Sequence, residues 1–231
     1  MAGIGPFESR PLLPEPLPAD PMALLAEWFA HAVRGKVAPN PDAMALATAD
    51  ADGTPTVRMV LAKKVDAAAG FIEFFTNYES RKSRALAARP TAAVVFHWDT
   101  LERQARIEGP VTRSPAAESD RYFATRPWPK QVGGWASEQS RPVGSRAAML
   151  ERVEAAMARL GVDPLTAPPI TEPMAIPRPP HWGGWRVWAR RVELWQGAPG
   201  RVHDRAEWTR TLSANGAAYA GGAWTATRLQ P

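Results

Sequence analysis

A strand candidate ending at Thr76, a turn at Asn77-Tyr78-Glu79 and a helix opened by Ser80-Arg81-Lys82 together make a place for an anion. The free N–H groups and dipole of a helix start attract negative charge, and two cationic side chains and nearby hydroxyls reinforce them. Basic residues at a helix start oppose the dipole, a local cost that a bound phosphate removes; the competing reading is a plain Ser cap beside surface charges. Arg58 and Lys63 stand five apart on one strand candidate, so they face opposite sides unless a bulge or curvature aims both at one ligand. Two solvated charges on an exposed edge is the other reading. Gln104 lies within an apolar strand candidate, and Gln139-Ser140 follow Gly133-Gly134-Trp135. Amides and hydroxyls of this kind read the edge of a heteroaromatic ring or serve as structural hydrogen bonds. Arg201, His203 and Arg205 share one face if their run is a strand, a cationic row centred on an imidazole. Such a row suits an anionic substrate in a cleft or the guarding of a sheet edge. Of the 10 tryptophans, Trp182, Trp185, Trp188, Trp195, Trp208 and Trp224 follow residue 180, where ring stacking, a subunit contact or core packing would use them.

Other chemistries lack their residues. No Gly-x-Gly-x-x-Gly, Walker loop, Gly-x-Ser-x-Gly or His-Glu-x-x-His occurs. His31, His97, His181 and His203 have no metal-ligand spacing, so no metal site is expected. The absence of cysteine removes iron–sulfur clusters, thiolate zinc sites, a cysteine nucleophile and disulfides. With 231 residues, 45% hydrophobic and 22% charged, the chain is long enough for a sizeable core without staples. A pI near 10 and a formal charge of +5 invite a nucleic-acid reading, but the arginines are dispersed and no block of five basic residues occurs. The charge suits anionic small molecules. No apolar run approaches the ~20 residues of a membrane span and no signal sequence is recognisable, so a soluble cytoplasmic protein is expected.

The elements that must position these groups are readable in outline. Residues 1–19, rich in proline, read as a flexible arm. Asp20-Pro21 opens a helix in which Leu24, Leu25, Trp28, Phe29 and Val33 recur at helical spacing and Gly35 marks the exit. Apolar runs at Met44–Thr48, Thr56–Val65, Gly70–Thr76, Thr91–Trp98 and Arg103–Val111 form an antiparallel series of strands. Helices are expected at Ser80–Ala88, Pro115–Thr125 and Ser145–Leu160, the last closed by Gly161. After a proline-rich connection at Pro164–Pro180 come strand candidates Trp185–Trp195, Arg201–Thr211 and Trp224–Leu229. The class is mainly β with α: a closed or half-open barrel with peripheral helices.

Several stretches resemble the pyridoxine/pyridoxamine 5'-phosphate oxidases. They are Arg58-Met59-Val60-Leu61-Ala62-Lys63, Phe75-Thr76-Asn77 with Ser80-Arg81-Lys82, Leu101-Glu102-Arg103-Gln104, Tyr122-Phe123 with Arg126-Pro127, and Trp135-Ala136-Ser137-Glu138-Gln139-Ser140. Trp195-Gln196-Gly197, Arg201-Val202-His203-Asp204-Arg205 and Arg228-Leu229-Gln230-Pro231 continue the series in family order. The resemblance implies an FMN-binding split barrel over residues 20–231, with a dimerisation and substrate region from about residue 180. It also implies a homodimer with FMN at the subunit interface, and oxidation of pyridoxamine or pyridoxine phosphate to pyridoxal phosphate by O2 with release of H2O2. Arg58, Lys63, Thr76, Arg81, Lys82, Gln104, Gln139, Ser140, Trp195 and Arg205 match FMN-binding positions. Lys63, Tyr122, Arg126, Arg201 and His203 match substrate-holding positions, with His203 and Arg201 over the reacting ring. Lys130 stands where the family's phosphate-holding stretch usually has Ser, and is itself expected to bind phosphate. Leu17-Pro18-Ala19-Asp20-Pro21-Met22 and the terminal Arg-Leu-Gln-Pro also resemble the phenazine-biosynthesis branch, whose oxidases act on tricyclic aromatic acids. A non-catalytic flavin binder is the third expectation.

Overall fold

The computed structural model describes residues 13–231. Strands β1 (Ala43–Ala49), β2 (Pro55–Asp66), β3 (Phe71–Asn77), β4 (Thr91–Trp98), β5 (Arg103–Arg113) and β6 (Trp182–Trp188) form an antiparallel barrel. Its order is β5-β4-β1-β2-β3-β6, and pairing of β6 back onto β5 at Val111↔Val187 and Arg113↔Trp185 closes it. Alternation in the sequence assigns the faces. Met44, Leu46, Val94, Phe96, Ala105 and Ile107 turn inward and are buried, while their strand neighbours turn out.

Strand β5 serves two partners. Residues 103–108 pair with β7 (Arg191–Gln196), and residues 111–113 with β6. At the switch, a Cβ on Gly109 would lie 1.8 Å from the Trp188 carbonyl oxygen, so only glycine lets the two backbones pass. Beyond β7, β8 (Asp204–Thr209) and β11 (Thr225–Leu229) extend the sheet outside the barrel; β9 (Leu212–Asn215) and β10 (Ala218–Gly221) make a separate hairpin.

Helices α1 (Met22–Arg34), α2 (Arg81–Ala88), α3 (Ala116–Ala124), α4 (Trp128–Ala136) and α5 (Arg146–Leu160) lie around the barrel. Asp20 Oδ1 accepts the Met22 N–H at 2.7 Å, Ser80 and Ser145 cap α2 and α5, and Gly161 ends α5 at φ 66°. A second apolar cluster joins α3, α4 and α5 through Phe123, Trp128, Val132, Ala156 and Trp182.

The structure departs from expectation in several places. Trp185–Trp195 is two strands, because β6 and β7 are both buried on nearly every residue and no polar alternation marks the break at Ala189-Arg190. The strand expected from Arg201 starts only at Asp204; Pro199–Arg201 is a 3-10 turn, with Arg201 at φ 61°. No helix was expected over Trp128–Ala136, a stretch holding Pro129 and Gly133-Gly134, yet Pro129 falls in the first turn, where no N–H is needed.

Of the arm expected over 1–19, residues 1–12 lie outside the described ones. Residues 13–19 lie along the body: Leu13 is buried, Leu17 packs on the core, and Trp208 Nε1 donates to Pro18 O at 2.8 Å. Among the described residues, no helix is long and apolar enough to cross a membrane.

Candidate functional site

A cavity of about 500 Å³ opens where β2, β3, the start of α2, α3 and α4 meet. A bulge in β2 between Ala62 and Lys64 breaks the register with β3, and Lys63 at that bulge lines the cavity. Arg58, on the same strand, turns inward to Leu46 O at 3.0 Å and Thr48 Oγ1 at 2.8 Å, with a further bond to Thr56 Oγ1.

Strand β3 delivers Phe75, Thr76 and Asn77 to the cavity, and α2 brings Lys82 to the same point. Lys82 Nζ donates to Gln139 Oε1 at 2.6 Å, Thr76 Oγ1 at 3.1 Å and Ser80 Oγ at 3.2 Å. Burial strips this ammonium of water and Arg58 repels it, so its pKa falls to about 8. At the rim, the Arg81 backbone N–H donates to Ser140 Oγ at 3.2 Å, and its guanidinium pairs with Asp50 at 2.6 Å. Lys63 is likewise paired at the edge, with Asp42 at 2.5 Å.

The opposite wall is aromatic. Tyr122 stacks on Phe75 with centroids 4.2 Å apart, Trp182 stacks on Phe75 at 5.4 Å, and the Arg126 guanidinium sits 4.7 Å over Trp182. Arg126 Nη1 is buried without a hydrogen-bond partner among the described residues, and burial lowers the group's pKa. Lys130 lines the same wall. Among the described residues no acid lines the cavity, although Lys63, Lys82, Arg126 and Lys130 all do. That arrangement binds anions.

The structure thus brings Lys63, Thr76, Lys82, Tyr122, Arg126, Lys130 and Gln139 to one cavity, with Arg58, Arg81 and Ser140 around it. It does not bring the C-terminal candidates there. Gln104, Trp195 and Arg205 are cross-strand neighbours in one row over β5, β7 and β8. Arg205 is held by Glu193 Oε2 at 3.1 Å and Gln230 O at 3.0 Å. Arg201 and His203 precede β8 in the turn, so the shared strand face expected of Arg201, His203 and Arg205 does not form. His203 instead lies against the Trp195 ring at 4.7 Å, its Nδ1 accepting the Ala198 N–H at 3.1 Å, which leaves Nε2 to carry the proton.

Asp42, Asp50 and Glu193 were not among the sequence candidates. Each acts by meeting a residue far away in the chain, and no local spacing marks it.

Residues 31–158 match the family described as Pyridoxamine 5'-phosphate oxidase, and residues 182–231 match its C-terminal dimerisation region. The chain belongs to the pyridoxamine 5'-phosphate oxidase family. Relatives named pyridoxine/pyridoxamine 5'-phosphate oxidase include one from Burkholderia multivorans, 50% identical over 92% of this chain and 89% of the relative. Another, from Nitrobacter hamburgensis, is 47% identical over 92% of this chain and 90% of the relative. The crystal structure of PhzG from Burkholderia lata, in complex with tetrahydrophenazine-1-carboxylic acid, superposes with a TM-score of 0.78 at 28% identity, covering 98% of this chain and all of that one. The barrel is the family's split barrel, and a family of oxidases makes this member an oxidoreductase.

Proposed function

We propose that this family member is an FMN-dependent oxidase of pyridoxamine and pyridoxine 5'-phosphate, acting as a homodimer with flavin at the subunit interface. One observation carries the reading: among the described residues the cavity is lined by cations and no acids, with Lys82 buried, Arg126 half-buried with its Nη1 shielded from water, and neither held by a carboxylate. Buried charge without a counter-charge is costly, so such a cavity is matched to ligands that bring negative charge. The unpartnered Arg126 Nη1 and the low-pKa Lys82 fit the phosphates of a flavin mononucleotide and a pyridine phosphate. Relatives of that name, alike over nine-tenths of the chain, support the choice of substrate.

The dimer has its own support. Val57, Met59 and Leu61 are 69%, 63% and 39% exposed on the outer face of β2. Across the ladder, Ala45 and Val95 continue the row of Met59, and Ala47 and Ala93 that of Val57. An exposed apolar patch of this kind on a sheet fits a subunit interface.

In this reading the start of α2 with Arg81, Lys82 and Ser140 holds the flavin phosphate, Arg58 supports it, and Thr76, Gln139 and Lys63 line the ring. The second copy's Gln104, Trp195 and Arg205 complete that site. Tyr122, Arg126, Lys130 and Lys63 hold the substrate phosphate, and Arg201 and His203 of the second copy cover the pyridine face. When bound, FMN supplies the two-electron acceptor that takes hydride from the 4' carbon and passes both electrons to O2, giving H2O2. The chain's own task is alignment and charge balance; the amine substrate leaves as an imine that water hydrolyses to aldehyde and ammonia. Purified protein is expected to be yellow and to consume O2 with pyridoxamine phosphate. Colourless protein that takes up no added FMN overturns the reading.

A second reading, oxidation of a tricyclic aromatic acid, is favoured by the similarity to PhzG and by Lys130 in the cavity wall. Turnover of such an acid with none of the vitamin phosphates would select it, and bound FMN without turnover of either would leave a non-catalytic flavin binder.

A further inference from the structure

We propose that Asp204 and Arg228 are positioning residues: they fasten the N-terminal arm across the C-terminal strands and thereby fix the turn that carries Arg201 and His203. The proposal rests on the reading of that turn as substrate-facing.

Residues 13–19 form no helix or strand, so their backbone groups must find partners elsewhere. Asp204, the first residue of β8 and the next after His203, supplies one. Its Oδ2 accepts the Leu13 N–H at 2.9 Å, and its Oδ1 accepts from Arg228 Nη1 on β11. The other arginine nitrogen, Nη2, donates to Pro14 O at 3.1 Å and Glu15 Oε2 at 2.8 Å. One carboxylate and one guanidinium thus tie three segments together, with the Asp204 side chain only 10% exposed. The planar fork of arginine suits this divided task in a way that a single ammonium does not.

The turn beside this latch is held mostly by its own bonds and by Trp195: the Ala198 N–H to His203 Nδ1, the Val202 N–H to Pro199 O at 3.3 Å, and the Trp195 ring under His203. Gly197 N–H bonds to Glu102 O at 2.8 Å at one end, and Arg201 keeps a left-handed φ of 61°, a conformation that persists only where its surroundings impose it. Asp204 anchors the other end. The arm and the turn share one crevice, lined by Leu13, Glu15, Val202, His203, Asp204 and Arg228. Releasing the arm therefore frees the start of β8 and the imidazole one residue before it.

The test uses the full-length holoenzyme with Asp204→Ala, Arg228→Ala, the double variant and Arg228→Lys. Each alanine variant is expected to lower kcat/KM for pyridoxamine phosphate about tenfold, mainly through KM, as misplacement of a binding group does. FMN affinity by flavin fluorescence stays within about twofold, because the cavity cations are untouched and Arg205 keeps its own bonds to Glu193 Oε2 and Gln230 O. The double variant should do no more than either single one, since both break the same latch. Arg228→Lys recovers part of the loss. Carbethoxylation of His203 by diethylpyrocarbonate, followed by peptide mass, should speed up about fivefold in the alanine variants as local opening becomes easier. Unchanged kcat/KM and unchanged His203 reactivity overturn the proposal, as does FMN loss in step with KM, which marks general destabilisation. If the wild type does not oxidise pyridoxamine phosphate, the functional reading fails, and His203 reactivity alone decides on the latch: faster supports it, unchanged overturns it.

Discussion

The cavity side of the barrel and its C-terminal extension use the same residue types to opposite effect. In and beside the extension, on β5, β8 and β11, several arginines are paired with acids. Arg205 meets Glu193 at 3.1 Å, Arg106 lies between Glu193 at 3.3 Å and Glu108 at 3.1 Å, and Arg228 holds Asp204 and Glu15. In the cavity Lys82, Arg126 and Lys130 have no acid partner among the described residues, and the carboxylates Asp42 and Asp50 stand only at the rim, against Lys63 and Arg81. A formal charge of +5 is thus less telling than where acids are withheld. Paired arginines stiffen the extension, whereas the cavity's cations, of which Lys82 is buried, wait for an anion.

The comparison breaks most readily at Lys82. Lys82→Ala should weaken FMN binding about a hundredfold by fluorescence titration, because it removes the desolvated cation that faces the ligand's charge. Equal FMN affinity would mean that the cavity takes some other anion. Next, Arg126→Ala should raise the KM for pyridoxamine phosphate about thirtyfold while leaving FMN binding near wild type, which separates the two anion subsites within the cavity.

Val57→Asp places a charge in the exposed apolar face of β2, away from the residues that line the cavity. It should shift the protein from dimer to monomer in light scattering and lower FMN affinity about twentyfold, if the row of Gln104, Trp195 and Arg205 reaches the flavin only from a second copy. A monomer that binds FMN as well as the wild type would make the extension irrelevant to the cavity.

The smallest effect is in pH. With the Lys82 pKa lowered to about 8 in the ligand-free fold, FMN affinity should be flat below that pH and fall about tenfold per unit above it, until the higher pKa of the complex is reached. Ligand-free stability runs the other way. The unfolded lysine still binds its proton between about 8 and its ordinary value of 10.5, so this group makes the protein more stable as pH rises through that window. Thermal melts with and without FMN from pH 7 to 10 check both signs.

The cavity half of the site was legible because it is local. Thr76, Ser80, Arg81 and Lys82 lie within one strand–turn–helix, and the capping serine announces itself in the sequence. A bulge is present at Lys63, which lines the cavity, but Arg58 turns to Leu46 O and Thr48 Oγ1 and does not line it. The C-terminal half was harder to read. Arg201, His203 and Arg205 alternate as a strand would, but Pro199 and Gly200 turn the chain first, and the Trp195 ring, not a neighbouring strand, receives His203. Helix α4 was hidden by prolines that the first turn of a helix tolerates.

From the amino-acid order alone came the antiparallel strand series, the capped helices and the positive cluster at Ser80-Arg81-Lys82, since each depends on neighbours a few residues apart. Folding in three dimensions decided which cations remain without acids, that β5 splits its pairing at Gly109, and that residues 13–15 lock onto Asp204 and Arg228 about 190 to 215 positions later. Those outcomes depend on contacts between segments remote in the chain, and only packing the barrel brings such segments together.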